Sequence, residues 1–305
     1  MDLDSKSELG PSGAAASTNS MDQIDHEIDR QTEYYDDHYS HVNVDAVVAK
    51  IRNLDEYFGD ALLTDTSWHG LYQLGFADQL QGKRVLELGC GDGLNALIMT
   101  AKGAQVFAID IANESKRIID QAAAELGFGS DQIQPITGDF RKIDLDQFAP
   151  FDVVVGKAFL HHLTPEQERE YLAKAARLLT IDGQARFFEP AENSELIDKI
   201  RWMIPMGRRP SSLNREAFEK WSEHDPHPER SNSTKAYLDA ARLYFHETTA
   251  IPIGSIERFH RLMPRGDFER KYRRWAHRMD RRMPSWIRSK FARSQTLIYR
   301  KPIQQ

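Results

Sequence analysis

Three alternating glycines follow an acidic residue at the end of a predicted strand, where they could bring backbone amides close to a ligand. The segment is Glu87-Leu88-Gly89-Cys90-Gly91-Asp92-Gly93. Glycine adopts positive φ at little cost and has no Cβ to hold a bound group away. In open α/β sheets, ligands bind at the carboxyl ends of the strands. We predict that this turn forms one wall of a binding site, because an ordinary strand-to-helix turn does not need three alternating glycines.

Acidic residues also follow the next two predicted strands. Asp110 ends the strand at 104–110, where its carboxylate could accept hydrogen bonds from both ribose hydroxyls of an adenosine; the alternative is a helix N-cap. Asp139 and Phe140 follow the strand at 132–136, where the acid could accept from an adenine amino group and a backbone N–H could donate to the ring. The alternative here is a common Gly-Asp turn. The order of the three turns along the chain favours one shared site.

A parallel sheet would bring these residues together, and the chain has the required alternation. Apolar runs at 84–88, 104–110, 132–136, 151–156 and 184–190 predict strands, separated by predicted helices at 92–102, 113–126 and 165–180. Thr164, Pro165 and Gln167 form a start signal for the third helix. Strands are also predicted at 245–253 and 294–300, the latter at an edge. The predicted fold class is α/β: a Rossmann-like, mainly parallel seven-stranded sheet with helices on both faces.

The segments around this alternating core have their own predicted roles. Residues 1–20 are rich in Ser, Ala and Gly, which predicts a disordered tail, and 21–80 predict a helical N-terminal lid region. Residues 81–305 form the main domain, with a cap or insertion at 191–242 and a basic helical segment at 255–293 before the last strand. Tyr34, Tyr35 and Tyr39 lie in the lid region. They could close over the ligand or pack a helix onto the core, and both interpretations stay open.

The motifs VLELGCGDG, AID, GDF and FDVVVGKAFLHHL, in this order, resemble the class I S-adenosylmethionine-dependent methyltransferase family over about residues 60–190. The resemblance implies S-adenosylmethionine as cofactor and methyl transfer as the reaction. The family commonly has Asn, Asp or Arg near Lys157, so the lysine is a departure on the acceptor side. The segment GKAFLHHL, followed by FFEP, looks most similar to bacterial small-molecule, lipid or sugar methyltransferases. The resemblance implies that the methionine end lies among Glu87, Gly89, Cys90, Gly91 and Gly93, the ribose on Asp110, the adenine against Ile111, Asp139 and Phe140, and the reacting centre beside Lys157 and Ala158.

Residues after the fourth and fifth strands are the candidates for acceptor chemistry. Methyl transfer to an oxygen or nitrogen that carries a proton needs a base, and histidine titrates near neutral pH. His162 and His161 are the candidate bases; the alternative is that His162 packs under the helix or caps a carbonyl. Glu189 could contact the acceptor or cap the next helix, and Tyr34 and Tyr35 are placed on the acceptor side. The expected acceptor is a small or lipid-like molecule, and no His and carboxylate spacing predicts a metal site.

The carboxyl-terminal part of the chain is basic and the rest is acidic. Residues 255–305 carry 15 Lys/Arg against 4 Asp/Glu, a net charge of +11, so the total of −6 leaves −17 for residues 1–254. Phe268, Tyr272, Trp275 and Met279 fall on one face of a predicted helix. We expect this face to pack on the core; peripheral contact of 268–290 with an anionic membrane is the alternative. No nucleic-acid partner is expected, because the body is acidic and no recognition motif is present.

The sequence also bears on the cellular location and on two competing functions. No apolar run approaches the ~20 residues of a membrane span, and the start MDLDSKSELG lacks the apolar core of a signal peptide. We therefore expect a cytoplasmic protein, with the inner face of the membrane as the alternative. A NAD(P)-dependent oxidoreductase would use the pattern G-x-G-x-x-G, but Leu94 stands where its third glycine belongs. A non-catalytic S-adenosylmethionine-binding regulatory protein stays open, since a cofactor motif does not establish turnover.

Overall fold

A seven-stranded sheet forms the centre of the computed structural model, which describes residues 28–205, 209–222, 228 and 230–304. The strand order is β3-β2-β1-β4-β5-β7-β6, with β1 to β5 parallel and β7 antiparallel to both neighbours. This confirms the predicted Rossmann-like, mainly parallel sheet. The strands are β1 Arg84–Leu88, β2 Gln105–Asp110, β3 Ile133–Thr137, β4 Phe151–Lys157, β5 Leu179–Pro190, β6 Phe245–Ile253 and β7 Ser294–Pro302.

The predicted edge position of the last strand is wrong. β7 lies between β5 and β6, and β6 forms the edge. The burial of the two strands gives the physical reason: six consecutive residues of β7, 294–299, are buried, whereas β6 is buried mainly at its two ends. β6 also contains Pro252, which lacks a backbone donor and is tolerated at a sheet edge.

Helices cover both faces of the sheet, as predicted. Alternate strand residues point to opposite faces, so Val85 and Val106 belong to one apolar cluster and Leu86 and Phe107 to the other. The first cluster includes residues of α2 to α6, and the second includes residues of α7 and α10. The helices are α1 at 28–40, α2 Val44–Arg52, α3 Leu54–Thr64, α4 Thr66–Leu71, α5 Leu94–Ala101, α6 Asn113–Leu126, α7 Pro165–Leu178, α8 Glu195–Met203, α9 Arg215–Ser222, α10 Thr234–Ala241, α11 Asp267–Arg282 and α12 Ser285–Phe291.

The predicted start of α7 is confirmed in detail. The Gln167 amide donates to the Thr164 hydroxyl over 3.2 Å, and the Gln167 side chain accepts from the Thr164 amide over 2.8 Å. Pro165 occupies the first helical position. Residues 1–20, predicted to be disordered, lie outside the described residues. None of the helices in the described part of the chain is long and apolar enough to cross a membrane.

The predicted packing of the basic helix α11 is only partly right. On its aromatic face Tyr272 and Met279 are half-buried, whereas the Phe268 and Trp275 side chains are exposed. The buried residues are Ala276, His277 and Asp280. The Asp280 carboxylate accepts backbone hydrogen bonds of 2.9 to 3.0 Å from residues 254–256. Satisfying this turn with a buried carboxylate fixes the helix by its polar side, which a hydrophobicity pattern does not reveal.

Candidate functional site

A cavity lies at the carboxyl ends of the central parallel strands, beneath α1. The turns after β1, β2, β3 and β4 all contribute to its wall, so the topology brings the three predicted turns together. The described residues that line it are Ile28, Gln31, Tyr35, Tyr39, Leu88, Gly89, Ile109, Asp110, Ile111, Gly138, Phe140, Ala158, Phe159, His162, Leu163, Gln167 and Tyr171.

The turn after β1 needs its glycines for conformation and for packing. Gly89, Gly91 and Gly93 have φ values of 66°, 56° and 70°. A Cβ on Gly89 would lie 2.4 Å from the Phe159 ring, and one on Gly93 would lie 2.4 Å from Ile119. Gly89 lines the cavity, whereas Gly91 and Gly93 shape the turn without lining it. The glycines are therefore required by close packing around the cavity as much as by contact with a ligand.

Asp110 joins the turn after β1 to the turn after β2. Its two carboxylate oxygens accept from the Gly91 amide over 2.8 Å and from the Ala112 amide over 3.0 Å. Burial raises the pKa of Asp110, while these backbone N–H groups act in the opposite direction. Each carboxylate oxygen can accept more than one hydrogen bond, so capacity remains for the hydroxyls of a ligand in the cavity. Asp110 is thus positioned by the backbone and lines the cavity at the predicted place.

Glu87 holds an unpaired oxygen in the interior. Its side chain is buried, and one oxygen accepts from the Asn95 amide nitrogen over 2.6 Å. Asn95 in turn accepts from the Tyr72 hydroxyl over 2.7 Å. The other oxygen of Glu87 has no hydrogen-bond partner among the described residues. Burial raises the pKa of Glu87 to about 8. Glu87 is not among the described residues that line the cavity, but a buried carboxyl group with an orphaned oxygen suits a cationic ligand group, such as the ammonium of an amino acid.

Asp139 is engaged by protein groups, in contrast to Asp110. Its carboxylate accepts from the Arg141 guanidinium at 2.6 to 3.1 Å and from the Tyr171 hydroxyl at 3.1 Å. Although burial acts in the opposite direction, the Arg141 hydrogen bonds lower the pKa of Asp139. Among the described residues, the cavity wall includes Phe140 and Gly138 but not Asp139. The acid fixes the turn after β3, and Phe140 of this turn lines the cavity.

Lys157 and Ala158, at the end of β4, are both predicted to lie beside the reacting centre, but only one of them lines the cavity. Ala158 lines the cavity with a φ of 59°, a left-handed conformation that is uncommon for residues other than glycine. The Lys157 ammonium lies 4.7 Å from the centre of the Trp68 ring, a cation–π geometry. Cys90 is buried, and its amide donates to the Ile109 carbonyl over 3.1 Å. Neither Lys157 nor Cys90 is among the described residues that line the cavity.

The structure gives Glu189 a role that differs from acceptor contact. Its side chain has no exposed surface, and it accepts from the backbone amides of Phe159 at 2.9 Å and Leu160 at 2.7 Å. Its second oxygen lies 2.7 Å from Nδ1 of His161. Glu189 therefore holds the turn after β4 from beneath and orients His161. The neighbouring His162 lines the cavity, and its Nδ1 lies 3.1 Å from the Tyr35 hydroxyl.

Helix α1 covers the cavity with one of its faces. Ile28, Gln31, Tyr35 and Tyr39 are spaced by three or four residues and line the cavity together. Tyr34 points elsewhere, with 49% of its surface exposed. Of the three tyrosines singled out in the sequence, Tyr35 and Tyr39 thus reach the cavity and Tyr34 does not.

An acidic residue of α1 joins this helix to the main domain. The Asp36 carboxylate accepts from the Glu114 amide over 2.9 Å and from the Asn113 side chain over 3.2 Å. Both partners lie in the first turn of α6, whose free N–H groups favour a carboxylate. Sequence reasoning missed Asp36, because a polar residue on an exposed helix gives no sign of a distant partner. It also missed Gln31, although its spacing from Tyr35 could have indicated it.

Comparisons with known proteins agree with this geometry. Residues 85–183 match a family model described as a methyltransferase domain. The chain is 35% identical over 94 residues to a ubiquinone biosynthesis O-methyltransferase of Paracidovorax citrulli, covering 30% of this chain and 39% of that protein. It is 29% identical over 111 residues to a cypemycin N-terminal methyltransferase of a Streptomyces species, covering 36% and 40% respectively. The chain thus spans about two fifths of the length of these two relatives.

Geranyl diphosphate C-methyltransferase from Streptomyces coelicolor A3(2) aligns with a TM-score of 0.46 at 12% sequence identity. The alignment covers 76% of this chain and 73% of that one.

Proposed function

We propose that the chain is a class I S-adenosylmethionine-dependent methyltransferase that methylates an oxygen or nitrogen atom of a small-molecule or lipid-like acceptor; the match of residues 85–183 to a methyltransferase domain supports this. The observation that carries the proposal is the position of Asp110. Two backbone amides hold its carboxylate in the wall of a cavity that also contains Gly89 and Phe140. This arrangement suits an adenosyl group, with its ribose hydroxyls on Asp110.

The chain's own residues supply a binding surface for each part of the proposed cofactor. Asp110 would hold the ribose, Ile111 and Phe140 would enclose the adenine, and the orphaned oxygen of Glu87 would receive the ammonium group of the methionine end. Asp139 contributes by fixing the turn that carries Phe140. When bound, the cofactor supplies an electrophilic methyl group on a sulfonium, so the protein needs mainly to position an acceptor in line with it.

His162 is the proposed general base. It lies in the cavity wall, within reach of an acceptor there, and the Tyr35 hydroxyl beside its Nδ1 would fix the orientation of the ring. In the tautomer whose Nδ1–H donates to the Tyr35 oxygen, Nε2 is the nitrogen that would take a proton from the acceptor. His161 is the alternative base, but its contact with the buried Glu189 favours a positioning role. A base of this kind typically contributes about 10²- to 10⁴-fold to the rate.

The acceptor class and the peripheral contacts are argued from separate observations. Similarity to an O-methyltransferase and to an N-terminal methyltransferase supports oxygen or nitrogen as the methylated atom. Five exposed residues of α11 follow one another at spacings of three and four residues: Phe268, Lys271, Trp275, Arg278 and Arg282. Aromatic and cationic side chains interleaved on one helix face suit an anionic membrane surface. We include peripheral membrane contact through 268–290 in the proposal on this basis.

Calorimetry with S-adenosylmethionine and NADH in parallel tests the proposed function. We expect saturable binding of S-adenosylmethionine and none of NADH. Asp110→Ala should weaken S-adenosylmethionine binding by at least about 100-fold, because two hydrogen bonds to a charged group contribute roughly 1.5–3 kcal/mol each. Asp120→Ala, at an exposed position on α6, is the matched control and should bind normally.

Two other outcomes would favour the competing functions. Binding of NADH without S-adenosylmethionine would support the oxidoreductase. Normal cofactor binding, with no transfer of a tritiated methyl group to polar or lipid extracts of the source cells, would support the non-catalytic regulatory protein.

A further inference from the structure

A second cleft lies at the carboxyl end of β5, apart from the cofactor cavity. It lies between α8, the 3₁₀ turn at Glu257–Leu262 and the end of α12. Pro190 and Ser294, where β5 ends and β7 begins, form its floor. None of the described residues that line this cleft also lines the cofactor cavity.

One wall of this cleft is apolar and open to solvent. Ile200, Ile204, Phe259, Leu262 and Phe291 line it, and each exposes between 41% and 76% of its surface. Isolated exposed apolar residues are ordinary, but a contiguous set around one concave surface marks a site that binds an apolar partner. The shape and composition of this wall suit a hydrocarbon chain.

The rest of the lining is cationic. Arg201, Arg258, Arg261 and Arg293 line the cleft, and the described lining residues include no carboxylate. Burial lowers the pKa of Arg258 and of Arg261, and the neighbouring guanidinium groups add to this effect. Four cations so close together repel one another, and an anion between them would relieve that repulsion.

The nearby acids compensate these cations only in part. Arg201 pairs with Glu192 at 3.2 Å, and Arg293 pairs with Glu257 at 3.2 Å. Glu257 is shared with Arg273 at 2.9 Å, so it cannot fully neutralise Arg293. Arg258 donates to a backbone carbonyl, which carries no full charge. Within the described part of the chain Arg258 therefore forms no ion pair, although Asp198 partly offsets the effect of the neighbouring arginines on its pKa.

We propose that this cleft binds a single acyl chain that carries an anionic headgroup, with the chain on the apolar wall and the headgroup on Arg258 and Arg261. A neutral chain would leave the arginine repulsion in place, and a free anion would leave the apolar wall in water. Only a molecule with both parts satisfies both halves of the lining. The inference does not rest on methyl transfer, because the two sites share no lining residue.

Fluorescence titration of the full chain with dansyl-labelled undecanoic acid tests this assignment. We expect saturable, blue-shifted emission that laurate and lauryl phosphate displace. Dodecanol lacks the charge and acetate or inorganic phosphate lacks the chain, so these three should displace the probe at least tenfold less effectively. Laurate and lauryl phosphate together show whether the headgroup is a carboxylate or a phosphate.

Substitutions separate this cleft from other surfaces. Arg258→Gln and Arg261→Gln should each weaken probe binding about tenfold, and Ile200→Glu should abolish it by placing a charge on the apolar wall. The controls are Arg169→Gln, at an exposed position of α7, and Ile181→Glu, at the end of β5 opposite Pro190. Both variants should bind the probe normally. Binding of S-adenosylmethionine should be unchanged in all five variants.

Three results would overturn the inference. The first is dodecanol displacing the probe as well as laurate does, and the second is unchanged probe binding in both arginine variants. The third is the absence of probe binding together with a dimer that analytical ultracentrifugation detects and that Ile200→Glu dissociates. The cleft would then be an interface between two copies of the chain. Loss of S-adenosylmethionine binding with normal probe binding would instead count against the proposed function alone.

Discussion

At the scale of single residues, the same side chain type serves opposite purposes in neighbouring turns. Asp110 is held by backbone amides and faces the cavity, whereas Asp139 is engaged by Arg141 and Tyr171. Because Arg141, two positions along the chain, pairs with Asp139, this predicted ligand contact instead stabilises the turn after β3. Glu189 shows the same change of role beneath the turn after β4. These acids shape the site, while Asp110 and Glu87 keep capacity for a ligand.

Glu87 should make cofactor binding depend on pH. Burial raises its pKa to about 8, so the carboxyl group is mainly protonated at pH 7 in the free protein. The ammonium group of the cofactor favours the ionised carboxylate, so binding at pH 7 should release a proton from Glu87. The contribution of Glu87 to affinity should therefore rise with pH up to about 8 and change little above it. Calorimetry at pH 7 in two buffers of different ionisation enthalpy measures this proton release.

The variant Glu87→Gln isolates the contribution of this group. It keeps a hydrogen-bonding partner for Asn95 but cannot ionise, so its proton release should fall relative to the parent protein. The difference between the two proteins removes any titration of the cofactor itself. Glu125→Gln, at an exposed position of α6, should behave like the parent. Equal proton release from the Glu87 variant and the parent would refute the assignment.

At the scale of elements, helices α1 and α11 use unexpected faces. α1 places Tyr35 and Tyr39 over the cavity and joins the main domain through Asp36. α11 is fixed by the buried Asp280, and its exposed side carries Phe268 and Trp275. In both helices a carboxylate that accepts backbone N–H groups sets the orientation. The aromatic residues on the remaining faces are then available to a ligand in α1 and to a surface in α11.

Removing the Asp36 contact should loosen α1. Asp36→Ala leaves the first turn of α6 without its carboxylate partner, a loss comparable to that of a helix cap, about 0.5–2 kcal/mol. Amide hydrogen exchange in residues 28–40 should become about 2- to 30-fold faster, since each 1.36 kcal/mol is a factor of ten. Asp37→Ala, the exposed neighbour, is the control and should exchange like the parent. If both variants exchange alike, Asp36 does not hold the helix.

At the scale of the whole molecule, charge is divided between the two parts of the chain. Residues 255–305 carry +11, while residues 1–254 carry −17. Some of the basic residues pair with the acidic body, as Arg270 and Arg274 do with Asp60 at 2.8 and 2.6 Å. Others, including Lys271, Arg278 and Arg282, form no ion pair within the described part of the chain. Local attraction of α11 to an anionic surface is therefore compatible with the negative total charge.

Sedimentation with phosphatidylserine-containing vesicles tests this surface. Binding should exceed that to phosphatidylcholine vesicles and should fall as ionic strength rises from about 0.05 to 0.5 M, because screening shortens the range of charge interactions. Arg278→Gln and Arg282→Gln should each weaken binding about fivefold, from roughly 1 kcal/mol per basic residue. Arg177→Gln on α7 serves as a matched control. Equal binding to the two vesicle types would rule out an electrostatic membrane contact.

The sequence by itself determined the alternation of strands and helices, the glycine turn and the place of Asp110, because periodicity, capping and turn chemistry act over a few neighbouring residues. Only the tertiary structure decided which groups those turns would meet. Tyr171 of α7 donates a hydrogen bond to Asp139 in the turn after β3, and Glu189 of β5 accepts one from the turn after β4. Strand β7 lies between β5 and β6. These outcomes depend on contacts between residues far apart in the chain, and local patterns carry no record of such contacts.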